Sequence, residues 1–286
     1  LDPLTMNLDP EDVARRVTPR TKAIVAVHLA GYPADVYPLL EIAEKHGISL
    51  IEDCAQAMLA EYDGRLAGTI GHLGCYSINN SKHISCGEGG VVIGNDDGAM
   101  RRARLFADKG YPRGEKGMNV QTFGLNYRLT DIQAAIARVQ LEKADGIIAR
   151  RRALGDRLCS LLEGIPGLFP PPLRSGTRHS YWFFSFRVVP EFGATADQFA
   201  EALTAEGIPC SAHYIGIPLY RYDVWQRPVL GREIRFNEHE CPNAEDALAH
   251  LARMGWSENY ENDVPDDIAR AVRKIAENVS SLSSGA

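Results

Sequence analysis

The chain has 286 residues, of which 45% are hydrophobic and 24% charged, and its net charge at pH 7 is −6. This composition is typical of a globular protein, and the length predicts a large core divided between two domains. The negative charge gives no electrostatic reason to expect nucleic-acid binding. The chain has no apolar run near the ~18 residues that would predict a membrane-spanning helix.

The first predicted elements are a strand, a helix and a second strand in direct succession. Apolar and β-branched residues closed by glycine predict a buried strand over Thr21–Gly31. Apolar residues on one face and a terminal glycine predict an amphipathic helix over Val36–Gly47. The segment Ile48–Ala57 is predicted as a second buried strand that ends on acidic residues. This order, with its short connections, predicts a parallel α/β sheet.

Similar patterns continue as far as a proline cluster that follows Ile165. They predict, in chain order, strand Gly74–Ile78, strand Gly89–Asn95, helix Asp96–Gly110, loop Gly114–Asn126, a helix opening at Thr130 and helix Gly146–Ile165. The segments beyond the prolines are predicted as strand Tyr181–Val189, helix Thr195–Ile208, a strand over 208–214 and helix Pro265–Val279. We therefore predict a large domain over residues 1–150 and a smaller α+β domain over residues 151–286.

The six cysteines form no C-x-x-C pair and have no metal-type spacing with histidine, so no metal site is predicted. Cys54 and Cys75 lie in apolar runs and are predicted to be reduced thiols of the core. Reduced thiols, together with the lack of a recognisable signal peptide, favour a cytoplasmic location.

Three polar residues are candidates for chemistry because they end or follow strands of the predicted parallel sheet. Ligands of such sheets bind at the carboxyl ends of the strands, where Asp53, Ser77 and Lys82 are expected. An acid and a lysine in one pocket suggest pyridoxal phosphate, since the lysine can form a Schiff base and the acid can hold the ring nitrogen protonated. Taken singly, Asp53 is explained as a cap or turn former and Lys82 as a surface lysine.

Several ordered motifs together give a more specific signal than these single residues. They are EDCAQA from Glu52, GCYSINNSKHISCGEGG from Gly74 and GLNYRLTDIQAAI from Gly124, with VHLAGYPADV, EYDGRLAGTIG, AHYIGIPLY and WSENYENDV elsewhere. With these motifs the chain resembles the DegT/StrS family of sugar and cyclitol aminotransferases over nearly its whole length. The resemblance implies the fold of type I pyridoxal-phosphate transferases, with a mostly parallel sheet flanked by helices and a smaller C-terminal α+β domain.

The resemblance also implies a role for each matching residue. Lys82 matches the catalytic Schiff-base lysine, and Asp53 matches the partner of the pyridine nitrogen. The other cofactor-binding matches are Ala55 at the ring face, Gln56 at the phenolic oxygen, Ser77 at the phosphate and Asn126 at the phosphate of the neighbouring subunit's cofactor. A shared active site implies at least a homodimer, although Asn126 by itself is explained as a loop residue that caps a turn.

Substrate contacts are assigned to four residues of the C-terminal motifs. These matches are His213, Tyr214, Asn259 and Tyr260. Buried histidine and tyrosine often only satisfy hydrogen bonds in a core, so both interpretations stay open. His28, at the end of the first strand, is a weaker candidate. Some family members carry histidine in place of the lysine and act as dehydratases, but here His83 follows Lys82, which favours transamination.

The resemblance predicts transfer of an amino group from glutamate or glutamine to a keto sugar, nucleotide-linked by preference, or to a keto cyclitol. Lys82, released from the cofactor by the donor, would carry the proton between the donor's α-carbon and the cofactor, which requires a lowered pKa. One alternative is another enzyme of this fold, either a dehydratase or an aminohydroxybenzoate-type synthase. The other is a non-catalytic pyridoxal-phosphate-binding sensor or partner subunit.

The start of the chain, LDPLTMNLDP, has no initiator methionine and matches the family only from within its pattern. Family members carry a further segment ahead of this point, with the first strand and helices of the large domain. We expect that its absence would leave sheet edges and apolar faces of the large domain exposed.

Overall fold

The computed structural model describes residues 1–114, 119–228, 233–237 and 239–282. Its helices are α1 Pro10–Arg16, α2 Val36–Lys45, α3 Asp97–Ala107, α4 Asp131–Leu141, α5 Ala144–Leu162, α6 Ala196–Ala205, α7 Pro242–Ala249, α8 Val264–Glu277 and α9 Val279–Leu282. Its strands are β1 Ala23–Val27, β2 Ser49–Asp53, β3 Glu61–Tyr62, β4 Arg65–Leu66, β5 Leu73–Ser77, β6 Gly90–Gly94, β7 Leu168–Phe169, β8 Thr177–Arg178, β9 Phe183–Val188, β10 Cys210–Ala212 and β11 Leu251–Gly255. No helix within the described ranges is both long and apolar enough to cross a bilayer.

The chain divides into two units, each of which we describe by itself. The parallel-sheet unit consists of Val13–Ile148 and Gly176–Ser180. The antiparallel-sheet unit consists of Leu1–Asp12, Ala149–Ser175 and Tyr181–Ala286. The predicted single boundary at residue 150 therefore does not account for Leu1–Asp12 and Gly176–Ser180. Each of these short segments packs with a unit whose other residues lie elsewhere along the chain. The two units are of comparable size.

The parallel-sheet unit has a four-stranded sheet in the order β1-β2-β5-β6. The predicted parallel pairing is confirmed for β1, β2 and β5, with Val27 opposite Asp53 and Asp53 opposite Cys75. The strand β6 is antiparallel to β5, with Ser77 opposite Gly90. It runs the other way because a loop rather than a crossover helix joins it to β5, and parallel neighbours need such a crossover.

The helices of this unit begin where capping side chains and apolar periodicity coincide. Helix α2 buries one face through Val36, Leu39 and Ala43. Helix α4 starts with a capping box, in which Thr130 and Gln133 bind each other's backbone N–H groups. The predicted loop Gly114–Asn126 lies partly outside the described residues, and its described remainder has no helix or named strand.

The antiparallel-sheet unit has the strand order β10-β11-β9-β7 and an aromatic core. The strand β9 supplies the fully buried Phe184 and Phe186, and Phe186 packs against Phe199 of α6 at 5.2 Å. Helix α8 closes the core with one apolar face, which includes Ile268 and Val272. The sequence analysis predicts neither helix α7 nor strand β11. The segment of β11 (LARMG) has no alternating pattern, and it forms a strand between β10 and β9.

Cys54 is buried, as predicted, whereas Cys75 is only partly buried and so is not the core thiol that its apolar run suggests. The reason is its position opposite Asp53, close to the polar edge where β2 ends. All six cysteines lie within the described ranges and are free thiols.

Two glycines of the parallel-sheet unit differ in how closely other atoms surround them. A Cβ at Gly74 would lie 2.2 Å from the Gly68 carbonyl oxygen, whereas a Cβ at Gly146 in α5 would meet nothing within 4 Å. We expect Gly74→Ala to lower the free energy of unfolding by about 1–3 kcal/mol, because two backbone segments must separate. We expect Gly146→Ala to raise it by about 0.5–1 kcal/mol, since alanine loses less entropy in a helix. Urea denaturation of both variants measures the contrast, and equal midpoints would contradict it.

Candidate active site

The carboxyl ends of β1, β2 and β5 lie side by side at one edge of the sheet. The parallel register places Val27 next to Asp53, the last residue of β2, and Asp53 next to Cys75. Ser77 is the last residue of β5. His28, Asp53 and Ser77 therefore share the edge at which open parallel sheets bind ligands.

Lys82 lies in the loop that joins β5 to β6 at this same edge. The loop is tightly folded: the Lys82 N–H donates to the Asn79 carbonyl at 3.1 Å, and the Asn79 side chain donates to Glu88 at 2.6 Å. The Lys82 side chain is half-buried. Burial lowers the pKa of the Lys82 amine, while the negative charge of Asp53 acts in the opposite direction. Asp53 is thus close enough to act on the charge of the Lys82 amine.

Asp53 and the two residues predicted beside it form a turn. One Asp53 carboxylate oxygen accepts a hydrogen bond from the Ala55 N–H at 2.9 Å, which is the turn-forming role open to any aspartate in this position. The other oxygen accepts no hydrogen bond from the part of the chain that the structure describes. The Gln56 side-chain oxygen accepts from the Ala30 N–H at 2.8 Å, so this turn is tied to the loop after β1.

Ser77 lies at the same edge, but the contacts of Asn126 are with other elements. The Ser77 hydroxyl accepts from the Asn79 N–H at 3.3 Å. Asn126 is exposed and forms an isolated β-bridge with Asp108 just after α3. Its side-chain oxygen accepts from the Arg128 guanidinium at 2.9 Å, which leaves the amide group as a donor.

The predicted substrate residues His213 and Tyr214 lie in the antiparallel-sheet unit and have contacts there. The His213 ring contacts the Leu248 carbonyl at 2.9 Å and the Asp197 carboxylate at 2.8 Å. The hydrogen bond to Leu248 and the Asp197 charge, against burial, raise the pKa of His213. The Tyr214 ring packs on Phe183 at 5.2 Å.

Asn259 and Tyr260 belong to the same unit. The Asn259 N–H donates to the Ser257 hydroxyl at 3.1 Å. The Tyr260 hydroxyl donates to the Gly255 carbonyl at 3.2 Å, and its ring packs edge-on against Trp256. Each contact accounts for the residue as part of the fold, so a substrate role for either one remains a prediction.

Comparison with known proteins gives one consistent result. The DegT/DnrJ/EryC1/StrS aminotransferase family matches residues 1–273. The chain belongs to this family.

The named relatives and solved structures that this chain resembles include sugar and cyclitol aminotransferases. The chain is 34% identical to the L-glutamine:scyllo-inosose aminotransferase of Streptomyces griseus over 99% of its own length and 72% of the relative's. It is 37% identical to the GDP-perosamine synthase of Caulobacter vibrioides over 72% of its length, but that match spans only 56% of the relative. The crystal structure of S. venezuelae DesV in complex with a ketimine intermediate superposes with a TM-score of 0.83 at 31% identity, over 95% of this chain and 70% of that one.

Within this DegT/StrS family member, the structure adds site neighbours that sequence reasoning missed. Glu52 is fully buried directly before Asp53 and contacts His28 at 3.1 Å. His83, next to Lys82, is buried and donates to the Ser180 carbonyl at 3.0 Å. Ser180 in turn donates its N–H to Gly31 at 3.0 Å. The only sequence signal for these contacts is an acid inside an apolar strand, since their partners are far apart along the chain.

Proposed function

We propose that this protein is a pyridoxal-phosphate-dependent aminotransferase that moves an amino group from glutamine or glutamate to a keto sugar or keto cyclitol. The observation that carries the proposal is the half-buried Lys82 at the carboxyl edge of the sheet, within electrostatic reach of Asp53. The family is one of aminotransferases. The acceptor class follows the relatives, which are named for a cyclitol and for a GDP-linked sugar.

The donor set at this edge fits pyridoxal phosphate. Lys82 offers an amine whose pKa is lowered by burial, and Asp53 has a carboxylate oxygen with no hydrogen bond from the described residues. Ala55 has the small side chain that a stacked ring needs, and Ser77 offers a hydroxyl at the end of β5. Lys82 and Asp53 would therefore hold the aldehyde and nitrogen ends, with Ala55, Gln56 and Ser77 around them.

The protein's own residues account for the proton transfer. Pyridoxal phosphate, when bound, supplies an aldehyde that reacts with amines and a ring that withdraws electrons from the carbon being deprotonated. Lys82 takes the proton from the donor's α-carbon and returns one to the acceptor's carbon in the second half of the cycle. A buried amine with a lowered pKa suits this task, because more of it is neutral near pH 7. Asp53 would accept a hydrogen bond from the ring nitrogen and keep it protonated.

Helix α4 supports the proposal of a homodimer with a shared site. None of its residues is buried, and Ile132, Ile136 and Val139 form an exposed apolar stripe on one face, with Ile132 76% exposed. The stripe follows the GLNYR motif of Asn126, whose amide group is left as a donor for a phosphate. Gln133 of the same helix donates to the Glu88 carbonyl of the Lys82 loop at 2.7 Å. A second copy seated on α4 would thus also brace that loop.

We expect the double substitution Ile132→Glu and Ile136→Glu to weaken the dimer at least about tenfold, because charges would enter an apolar interface. Sedimentation velocity across a concentration series measures this. Leu173→Glu, at an exposed apolar residue of the other unit, should leave the dimer intact. A parent protein that sediments as a monomer at every concentration would contradict the proposal, as would a double variant that dimerises like the parent.

The catalytic proposal is tested by supplying pyridoxal phosphate with glutamine or glutamate and a panel of keto cyclitols and nucleotide-linked keto sugars. We expect an amino product and a visible absorbance band that shifts when the donor is added. Loss of water or aromatisation of the acceptor would favour the dehydratase or aminohydroxybenzoate-synthase alternatives. A bound cofactor whose spectrum does not respond to any donor would favour the non-catalytic alternative. Acceptor choice can be examined with substitutions at four positions, which are His213, Tyr214, Asn259 and Tyr260.

A further inference from the structure

We propose that the buried Glu52–His28 pair is the positioning element of this site, and that it holds the Asp53 turn in place from the opposite face of the sheet. The inference rests on the proposed function, because it assigns a purpose to Asp53. Side chains alternate between the faces of a strand, so Glu52 and Asp53 point to opposite sides of β2. Glu52 therefore acts through the backbone and not by touching a ligand.

The Glu52 carboxylate is saturated by N–H donors. One oxygen accepts from the backbone of Ile70 at 2.8 Å and of Gly71 at 2.6 Å. The other accepts from the Gly68 N–H at 2.8 Å and from the His28 ring at 3.1 Å. Burial by itself would raise the pKa of Glu52, but the hydrogen bonds from His28, Gly68 and Gly71 outweigh it and lower that pKa. Glu52 is thus a buried anion.

The hydrogen bonds define the state of His28. Its Nδ1 lies 2.9 Å from the Ala34 N–H, which can only donate, so Nδ1 is the acceptor nitrogen. Nε2 therefore carries the proton and donates to Glu52. His28 is a neutral imidazole held between the loop after β1 and the end of β2, with both ring nitrogens used.

Through these contacts one carboxylate joins the loop after β1 to the turn Gly68–Gly71, which packs on the face of the sheet and leads into β5. The His28 contact ties down the loop after β1, in which the Ala30 N–H binds Gln56. The Gly68–Gly71 contacts hold a turn that is pressed against β5, since a Cβ at Gly68 would lie 2.3 Å from the Tyr76 hydroxyl. The Asp53 turn lies between them. Loss of the anion would release both neighbours of that turn at once.

A metal ion is not the better explanation of this cluster. Donor atoms of His28, Glu52 and Cys54 do lie within 4.8 Å of one another. However, both nitrogens of His28 and both oxygens of Glu52 already have hydrogen-bond partners. Burial, followed by the charges of Glu52 and Asp53, raises the pKa of the Cys54 thiol well above its usual value, so the thiolate that a metal prefers is disfavoured.

The first test is Glu52→Gln in the full chain, because an amide of nearly the same shape has only one acceptor oxygen for four donors. We expect the dissociation constant for pyridoxal phosphate to rise and kcat to fall, each by about 10- to 100-fold, as for other residues that orient a binding group from behind. The KM for glutamine should change by less than about threefold. His28→Leu should reproduce these losses, whereas His28→Gln, which keeps one donor and one acceptor, should recover most of the activity.

A second measurement does not depend on the cofactor. The Ala55 N–H donates to the Asp53 carboxylate, so its hydrogen exchange reports whether the turn is held. We expect Glu52→Gln to accelerate exchange at Ala55 at least about tenfold in the protein without cofactor. Leu39→Ala, a buried substitution in α2, is the control for general destabilisation. Unchanged Ala55 exchange, or equal losses of cofactor affinity in Leu39→Ala at the same shift in melting temperature, would overturn the inference. A parent protein that binds no cofactor would instead refute the proposed function, and the exchange result would still decide the positioning role.

Discussion

Lys82→Ala should remove amino transfer almost completely, with turnover at least about 10³-fold below that of the parent, since the variant lacks the group that carries the proton. Lys82→Arg should be similarly inactive, because the arginine side chain keeps the positive charge but has no amine that can be neutral near pH 7. Treatment of the parent with pyridoxal phosphate and borohydride should add one reduced cofactor group, with the mass of the cofactor less one oxygen atom, to the peptide that contains Lys82. Tandem mass spectrometry of the digested protein and a product assay measure both effects.

The matched control is Lys45→Ala, at an exposed lysine in the last turn of α2. It should leave turnover and labelling unchanged. Retained turnover in Lys82→Ala, or a label on another lysine in the parent, would show that the amine at the sheet edge is not the reactive one.

Asp53→Asn should lower kcat by about 10²- to 10³-fold, because it keeps the oxygen that receives the Ala55 N–H but removes the charge opposite the ring nitrogen. The pH profile should also move in a defined direction. Asp53 raises the pKa of Lys82 against the larger effect of burial. Without that charge, burial acts alone and the pKa of Lys82 falls further. Since Lys82 works as a base in its neutral form once the donor has released it from the cofactor, the acid limb of kcat should shift to lower pH.

Kinetics across a pH series for the parent, Asp53→Asn and Glu44→Gln provide the measurement. Glu44 is an exposed acid on α2, so its substitution should affect neither the rate nor the acid limb. An acid limb that moves to higher pH in Asp53→Asn would mean that Asp53 does not act on the Lys82 amine as described.

Local patterns in the sequence predicted the elements on which the site rests. The strand–helix–strand succession from Thr21 to Ala57 appears as β1, α2 and β2, because burial of one helix face and of a short apolar strand depends on residues close in sequence. The order of the strands then placed Asp53 and Ser77 at one edge. The motifs around Lys82 supplied the family, which the match over residues 1–273 confirms.

Long-range contacts could not be predicted in the same way. The segment Gly176–Ser180 packs with the parallel-sheet unit, where β8 pairs with β3 and Ser180 receives the His83 hydrogen bond. The strand β11 forms only because β9 and β10 flank it. Nothing in the local sequence of these segments specifies a partner so distant along the chain, since such pairings depend on the packing of the whole unit.

Sequence alone determined the identity of the family, the candidate amine and carboxylate, and the edge of the sheet at which they lie, because these depend on motifs and on the order of strands. Only the tertiary structure decided the half-burial of Lys82, the influence of Asp53 on its charge, and the saturation of Glu52 by His28 and a distant turn. The physical reason is that burial and hydrogen bonding belong to the surroundings of a side chain, and those surroundings are assembled from segments that only folding brings together.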